Sequence, residues 1–118
     1  MNKLVNLNEL IAHYEEDTDL VLELVGVFED TYLETVEALE HCFESKNYQD
    51  FEVSAHTLKG MLSNFFANDL IEKAALLEKM GEEQRLDNAL EIIVELKKLI
   101  PAMLNEIKAI QRRGEDCV

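Results

Sequence analysis

Residues 51–65 read FEVSAHTLKGMLSNF, and their apolar positions decide the fold class. Phe51, Ala55, Leu58, Leu62 and Phe65 recur at steps of four and three, which places them on one stripe of an α-helix. With the centre of that stripe at zero and about 100° per residue, Lys59 projects to about 80°, Ser63 to about 120° and His56 to about 140°. Gly60 falls at about 180° and Val53 at about 200° on the same wheel. All five lie on the solvent side, so the imidazole of His56 is expected to stand in water on a rigid helix. Phe66 projects to about 60°, the edge of the core.

The same periodicity extends outward from this stretch. Upstream, Asn6 followed by Glu9 resembles a capping box and opens a short helix from Leu7 to about Tyr14. Asp17 caps a longer helix that reaches about Ser45, with Leu20, Leu24, Phe28, Thr31, Thr35, Leu39 and Cys42 as its stripe. Asn47 with Asp50 signals the start of the helix that carries His56. Downstream, Asn68 begins a helix through Leu70, Ala74 and Leu77, and Gly81 is expected to end it as a C-terminal cap. After Asp87 the stripe is Ala89, Ile93, Leu96, Ile100, Met103, Ile107 and Ile110, interrupted by Pro101, where a kink is expected. Beyond about Arg112 the chain is polar and is expected to fray.

Four glycines, one proline and almost no β-branched alternation leave little to start a strand. Four substantial helices joined by short polar turns bury their stripes only against one another. The fold class predicted is therefore all-α: an antiparallel up-down four-helix bundle over residues 18–112, with a short additional N-terminal helix at about 7–15. A chain of 118 residues with 47% apolar content suits a single core, so one domain is expected over residues 1–118.

Charge narrows the function. The chain holds 25 acidic and 11 basic residues, a formal charge of -14. Such a balance opposes extended contact with a nucleic-acid backbone or an anionic membrane, and neither is an expected partner. The excess is concentrated in residues 1–55, whereas residues 56–118 are nearly balanced, and His56 lies at the seam. Cys42 and Cys117 form no metal-ligand spacing and are too few for a disulfide framework, so reduced thiols are expected. No apolar run approaches the roughly 20 residues of a membrane span, and MNKLVNLNEL lacks a signal-peptide core. The expectation is a soluble cytoplasmic protein, and Met1 favours a free-standing one.

His13 and His41 have the surroundings of ordinary surface histidines, whereas His56 has company suited to chemistry. A neutral imidazole nitrogen can attack an activated phosphorus and later surrender the phosphoryl group, without a resident base. It needs access, and Gly60, one turn on, removes the Cβ that would crowd an incoming active site. That glycine costs about 1 kcal/mol in a helix interior relative to alanine, a choice stability alone would not make. Lys59 supplies a positive charge for the equatorial oxygens of a transferring phosphoryl group. Each residue has a plain surface reading when taken singly; histidine with lysine at +3 and glycine at +4 is uncommon by chance.

Ala55-His56-Thr57-Leu58-Lys59-Gly60 resembles the core motif of histidine-containing phosphotransfer (HPt) domains, A-H-T-L-K-G, and the likeness continues at Asn64 and Ala67. It covers roughly Leu7 to Ile110. The resemblance implies an up-down bundle whose exposed histidine takes a phosphoryl group from one receiver aspartate and gives it to another. On that basis His56 is the phosphoacceptor, Lys59 the charge partner and Gly60 the access residue. The implied partners are response-regulator receiver domains and a hybrid sensor histidine kinase, met by a monomer. Val53, Ser63, Asn64, Ile11 and Tyr14 are the candidate docking residues. One departure is Phe66, where many members have glycine; it is read as filling space left by a local change in the bundle.

No glycine-rich phosphate loop is present, so no autonomous kinase activity is expected. No cofactor is expected either, with magnesium held by the partner receiver. A di-metal carboxylate bundle needs a glutamate three residues before an inward histidine, and those positions hold Leu10, Ala38 and Val53. Two alternatives stay open: a phosphatase that uses the same histidine as nucleophile, and a helical docking or adaptor bundle that binds a receiver or kinase without carrying phosphate.

Overall fold

The computed structural model describes the backbone of residues 4–116 and the side chains of residues 4–109. Five helices follow one another: α1 (Leu7–His13), α2 (Thr18–Ser45), α3 (Tyr48–Ser63), α4 (Asn68–Glu83) and α5 (Ala89–Asp116). No strand occurs among the described residues. Helices α2 to α5 form a ring in which each packs on the next and α5 closes back on α2. The short connections make consecutive neighbours antiparallel. The bundle measures 52 × 27 × 21 Å.

The helix starts are built as the sequence predicts. Asn6, Asp17 and Asn47 each accept a hydrogen bond from the backbone N–H three residues on, at 3.1, 3.0 and 3.2 Å. Such a cap is worth about 1 kcal/mol. Helix α4 starts at Asn68 without one, because its N-cap position is the buried Ala67.

The stripes of α3 and α4 are buried as read, and so is that of α5 through Ile107; the side chain of Ile110 lies outside the described residues. Helix α2 departs from its expected stripe. It buries Val21, Val25, Phe28, Val36, Leu39 and Cys42, leaves Leu20 38% exposed, and turns Thr31 outward. Leu20-Val21 and Leu24-Val25 offer two adjacent apolar rows, and the core takes the valines. The Thr31 hydroxyl is spent on the helix itself, donating to the Val27 carbonyl at 2.9 Å. Burial pushes the Cys42 thiol up, aided by the nearby Asp50 charge, which keeps it protonated and unreactive. Cys117 lies outside the described residues.

Two expectations about chain punctuation change. Gly81 does not end α4, which runs to Glu83 and closes with Gln84 in the left-handed region at φ 58. Gly81 is instead buried at the α3–α4 crossing, where a Cβ would sit 2.9 Å from the backbone nitrogen of Glu52. The glycine serves close approach, not termination. Helix α5 runs through the exposed Pro101 without a break, in keeping with a proline inside a helix. It also continues past Arg112 to Asp116, since a helix needs only its own backbone bonds to extend into polar sequence.

The N-terminal segment is tied to the far end of the chain. The Glu106 carboxylate accepts from the backbone N–H groups of Leu4 at 3.0 Å and of Val5 at 3.2 Å. Val5 and Leu10 enter the core, and the Tyr14 hydroxyl donates to the Asn64 carbonyl at 3.0 Å. Helix α1 thereby lies over the end of the bundle that contains the α3–α4 turn.

Candidate functional site

The site is built on the middle of α3, where the buried residues Ala55 and Leu58 fix the rotation of the helix and so aim their neighbours outward. The His56 side chain is 67% exposed. Lys59, one turn on, is 31% exposed. An ideal Cβ at Gly60 would meet nothing within 4 Å, so the surface beside the imidazole is open. The three residues predicted from the motif spacing are together, as read.

Across from them, α4 contributes a residue the sequence reading did not single out. Glu78, partly buried, places one carboxylate oxygen 2.8 Å from His56 Nδ1 and the other 2.6 Å from Lys59 Nζ. The hydrogen bond from Lys59 holds the Glu78 carboxyl below the usual carboxylate range; partial burial opposes this and the bond to His56 assists it. An ionised carboxylate only accepts, so the ring nitrogen facing it carries a hydrogen, and in the neutral ring the lone pair is then on Nε2.

The candidate docking residues divide into two groups. Val53, 58% exposed, lies with Ser54 and Thr57 along a shallow groove whose other wall is Glu34, Thr35 and Ala38 of α2. Ser63, Asn64, Ile11 and Tyr14 gather at the α3–α4 turn instead. Ser63 donates to the Lys59 carbonyl at 2.8 Å, and Ile11 and Tyr14 are partly buried against the core. At 1.5 Å per residue the Val53 and Asn64 positions are about 16 Å apart along α3, on either side of His56.

Phe66 sits in that turn in the left-handed region at φ 57. Glycine adopts this conformation without strain, whereas an L side chain such as that of Phe66 strains the backbone there. The ring does find a place: it packs partly buried against the core, 5.1 Å from the His13 ring. His13 is thus a stacking partner, also edge-on to Tyr14 at 4.7 Å.

The family model of the Hpt domain matches residues 23–110, most of the chain. The chain belongs to the Hpt domain family. The matched span of this Hpt domain contains His56, Lys59, Gly60 and Glu78 and leaves out α1. The crystal structure of histidine-containing phosphotransfer protein B (HptB) from Pseudomonas aeruginosa PAO1 is similar in fold, with a TM-score of 0.83 over 96% of this chain and 98% of that one, at 20% sequence identity. No curated protein sequence matches. An Hpt domain is a histidine phosphotransfer module of a two-component phosphorelay, a family that works with receiver domains and kinases. Among the described residues no helix is long and apolar enough to cross a membrane.

Proposed function

We propose that His56 is the phosphoacceptor of this Hpt domain, taking the phosphoryl group on Nε2 from the aspartate of one receiver domain and passing it to the aspartate of another. The observation that carries this reading is an imidazole 67% exposed in the middle of a packed helix, with one nitrogen committed to Glu78 and the other free. Lys59 lies one helical turn away and can turn toward the phosphoryl oxygens as charge builds on them. Gly60 leaves the approach open to an active site larger than the imidazole itself.

In this reading the protein is a phosphotransfer intermediate without kinase activity of its own, cytoplasmic and monomeric, that binds no cofactor. Magnesium and the acidic pocket belong to the receiver. One receiver covers the α2–α3 groove at Val53, and the turn at Ser63 and Asn64, backed by Ile11 and Tyr14, forms the opposite rim of the contact. A hybrid sensor kinase supplies the donor receiver.

His56→Gln tests the assignment, because an exposed side chain contributes little packing. The variant should keep its helical circular dichroism and its melting temperature, and fail to accept label from a phosphorylated receiver. In the parent the label should be acid-labile and alkali-stable. Normal loss of phosphate from the receiver to His56→Gln would refute it.

A further inference from the structure

Helix α2 contains an open glycine that the phosphotransfer site does not use. An ideal Cβ at Gly26 would meet nothing within 4 Å, so no neighbour in this chain requires its absence. Glycine is the poorest helix former after proline, and Gly26 stands in the interior of a helix that runs from Thr18 to Ser45. The bundle gives no reason for it. A body approaching from outside does, because a missing side chain lets another backbone come close.

The neighbours of Gly26 point the same way. With Glu29 as reference and about 100° per residue, Leu22 lies about 20° away, Leu33 about 40° and Gly26 about 60°, so the four share one edge of α2. Leu33 is 52% exposed there. Bonds to other helices identify the edge. Glu29 and Glu40 pair with Lys108 and Lys97 of α5. Thr31, about 160° from Glu29, instead places its hydroxyl 3.7 Å from the sulfur of Met61 on α3. The edge with Gly26 therefore borders α5, and His56 and Glu78, on α3 and α4, lie across the ring from it.

From an open glycine set between leucines on an acidic helix, we infer that the outer face of α2 along α5 is a second docking surface, and that its occupant is an amphipathic helix of another protein with basic flanks. Charge decides the flanks. Helix α2 holds no lysine or arginine. Asp30 and Glu37, about 100° and 80° from Glu29, border the stripe on its solvent side and make no ion pair among the described residues. The α5 lysines already answer Glu29 and Glu40, so the middle of the stripe can be covered without burying an unpaired charge. A helix crossing at Gly26 beds its apolar side between Leu22 and Leu33, and its lysines or arginines reach Asp30 and Glu37. A second copy of this chain would bring a like acidic helix at a net charge of -14, which opposes it as the occupant. Because the face lies across the bundle from His56, this partner and a receiver can be bound together.

The test uses the whole chain labelled with 15N and, as probe, a synthetic helical peptide of about three heptads with an alanine and leucine stripe flanked by lysines. At physiological salt, amide shifts should gather along α2 from Leu22 to Leu33 and on the adjoining turns of α5. Gly26→Leu should weaken binding roughly tenfold while raising the melting temperature, since leucine is the better helix former. Lost docking with gained stability cannot come from unfolding. Leu33→Ser should weaken the peptide as well, and phosphoryl transfer to His56 should run at the parental rate with the peptide bound. Parental binding by Gly26→Leu overturns the inference, and so does equal binding of a scrambled peptide of the same composition, which would reduce the face to its acidity. A peptide that blocks transfer overturns it by sitting in the α2–α3 groove. Shifts in the peptide-free protein that depend on its own concentration and vanish in Gly26→Leu overturn it too, by giving the face to a second copy.

Discussion

At the scale of single residues, the Lys59–Glu78 pair links chemistry to stability. Glu78 is held below its ordinary value in the folded state, first by Lys59. A depressed carboxylate pKa contributes stability above the unfolded value of about 4.3, and that contribution is lost as pH falls through the lower folded value. Lys59→Ala should therefore lower stability at neutral pH by about 0–1 kcal/mol, as expected for a pair near the surface. In denaturant titrations the difference from the parent should shrink to nothing below that window. Transfer should slow while receiver binding persists, which stopped-flow transfer and calorimetry would separate. Phe66 gives a prediction against habit. At φ 57 alanine keeps the strain and loses the ring, whereas glycine loses the ring and relieves the strain. Phe66→Gly should be more stable than Phe66→Ala by about 1 kcal/mol in thermal melts. His56, Lys59 and Gly60 were legible in the sequence because one helix sets their spacing. Phe66 was not, since a side-chain projection says nothing about the sign of φ.

Helices explain which site residue the sequence withheld. Glu78 belongs to another element, and only the turn between α3 and α4 relates it to His56. That turn is short, and the two residues are equidistant along the chain from Ala67, so folding the hairpin brings them level. Glu52 and Gly81 are related almost as symmetrically, and they meet at the helix crossing. The signal was present but needed the turn centre, which a buried alanine at the N-cap conceals. The bundle itself was legible because each stripe repeats at helical spacing; the α2 stripe was misread where leucine and valine rows run side by side. Two glycines one helix apart should respond oppositely to alanine. Gly60→Ala meets open space and should stabilise by about 0.5–1 kcal/mol through helix propensity. Gly81→Ala gains the same propensity but drives its Cβ to 2.9 Å from a backbone atom, and overpacking of this kind costs about 1–3 kcal/mol. Urea titrations of both variants would check the contrast in sign.

Across the whole molecule, charge and contact surface are laid out around one imidazole. Some of the acidic excess on α2 is answered by α5, where Lys97 and Lys108 reach Glu40 and Glu29. Val53 stands exposed beside it, in the groove between α2 and α3. Val53→Glu adds a charge to a position 58% exposed and should leave the melting temperature within a degree or two while weakening receiver binding in a titration. The bond between Glu106 and the backbone of Leu4 joins positions 102 residues apart in sequence. A contact of that separation must wait until the rest of the chain has closed the distance, so its loop entropy is met late on the way to the native state. Glu106→Ala should accordingly steepen nothing and delay nothing in refolding: the folding limb of its chevron should overlay that of the parent, and the whole loss should appear as faster unfolding.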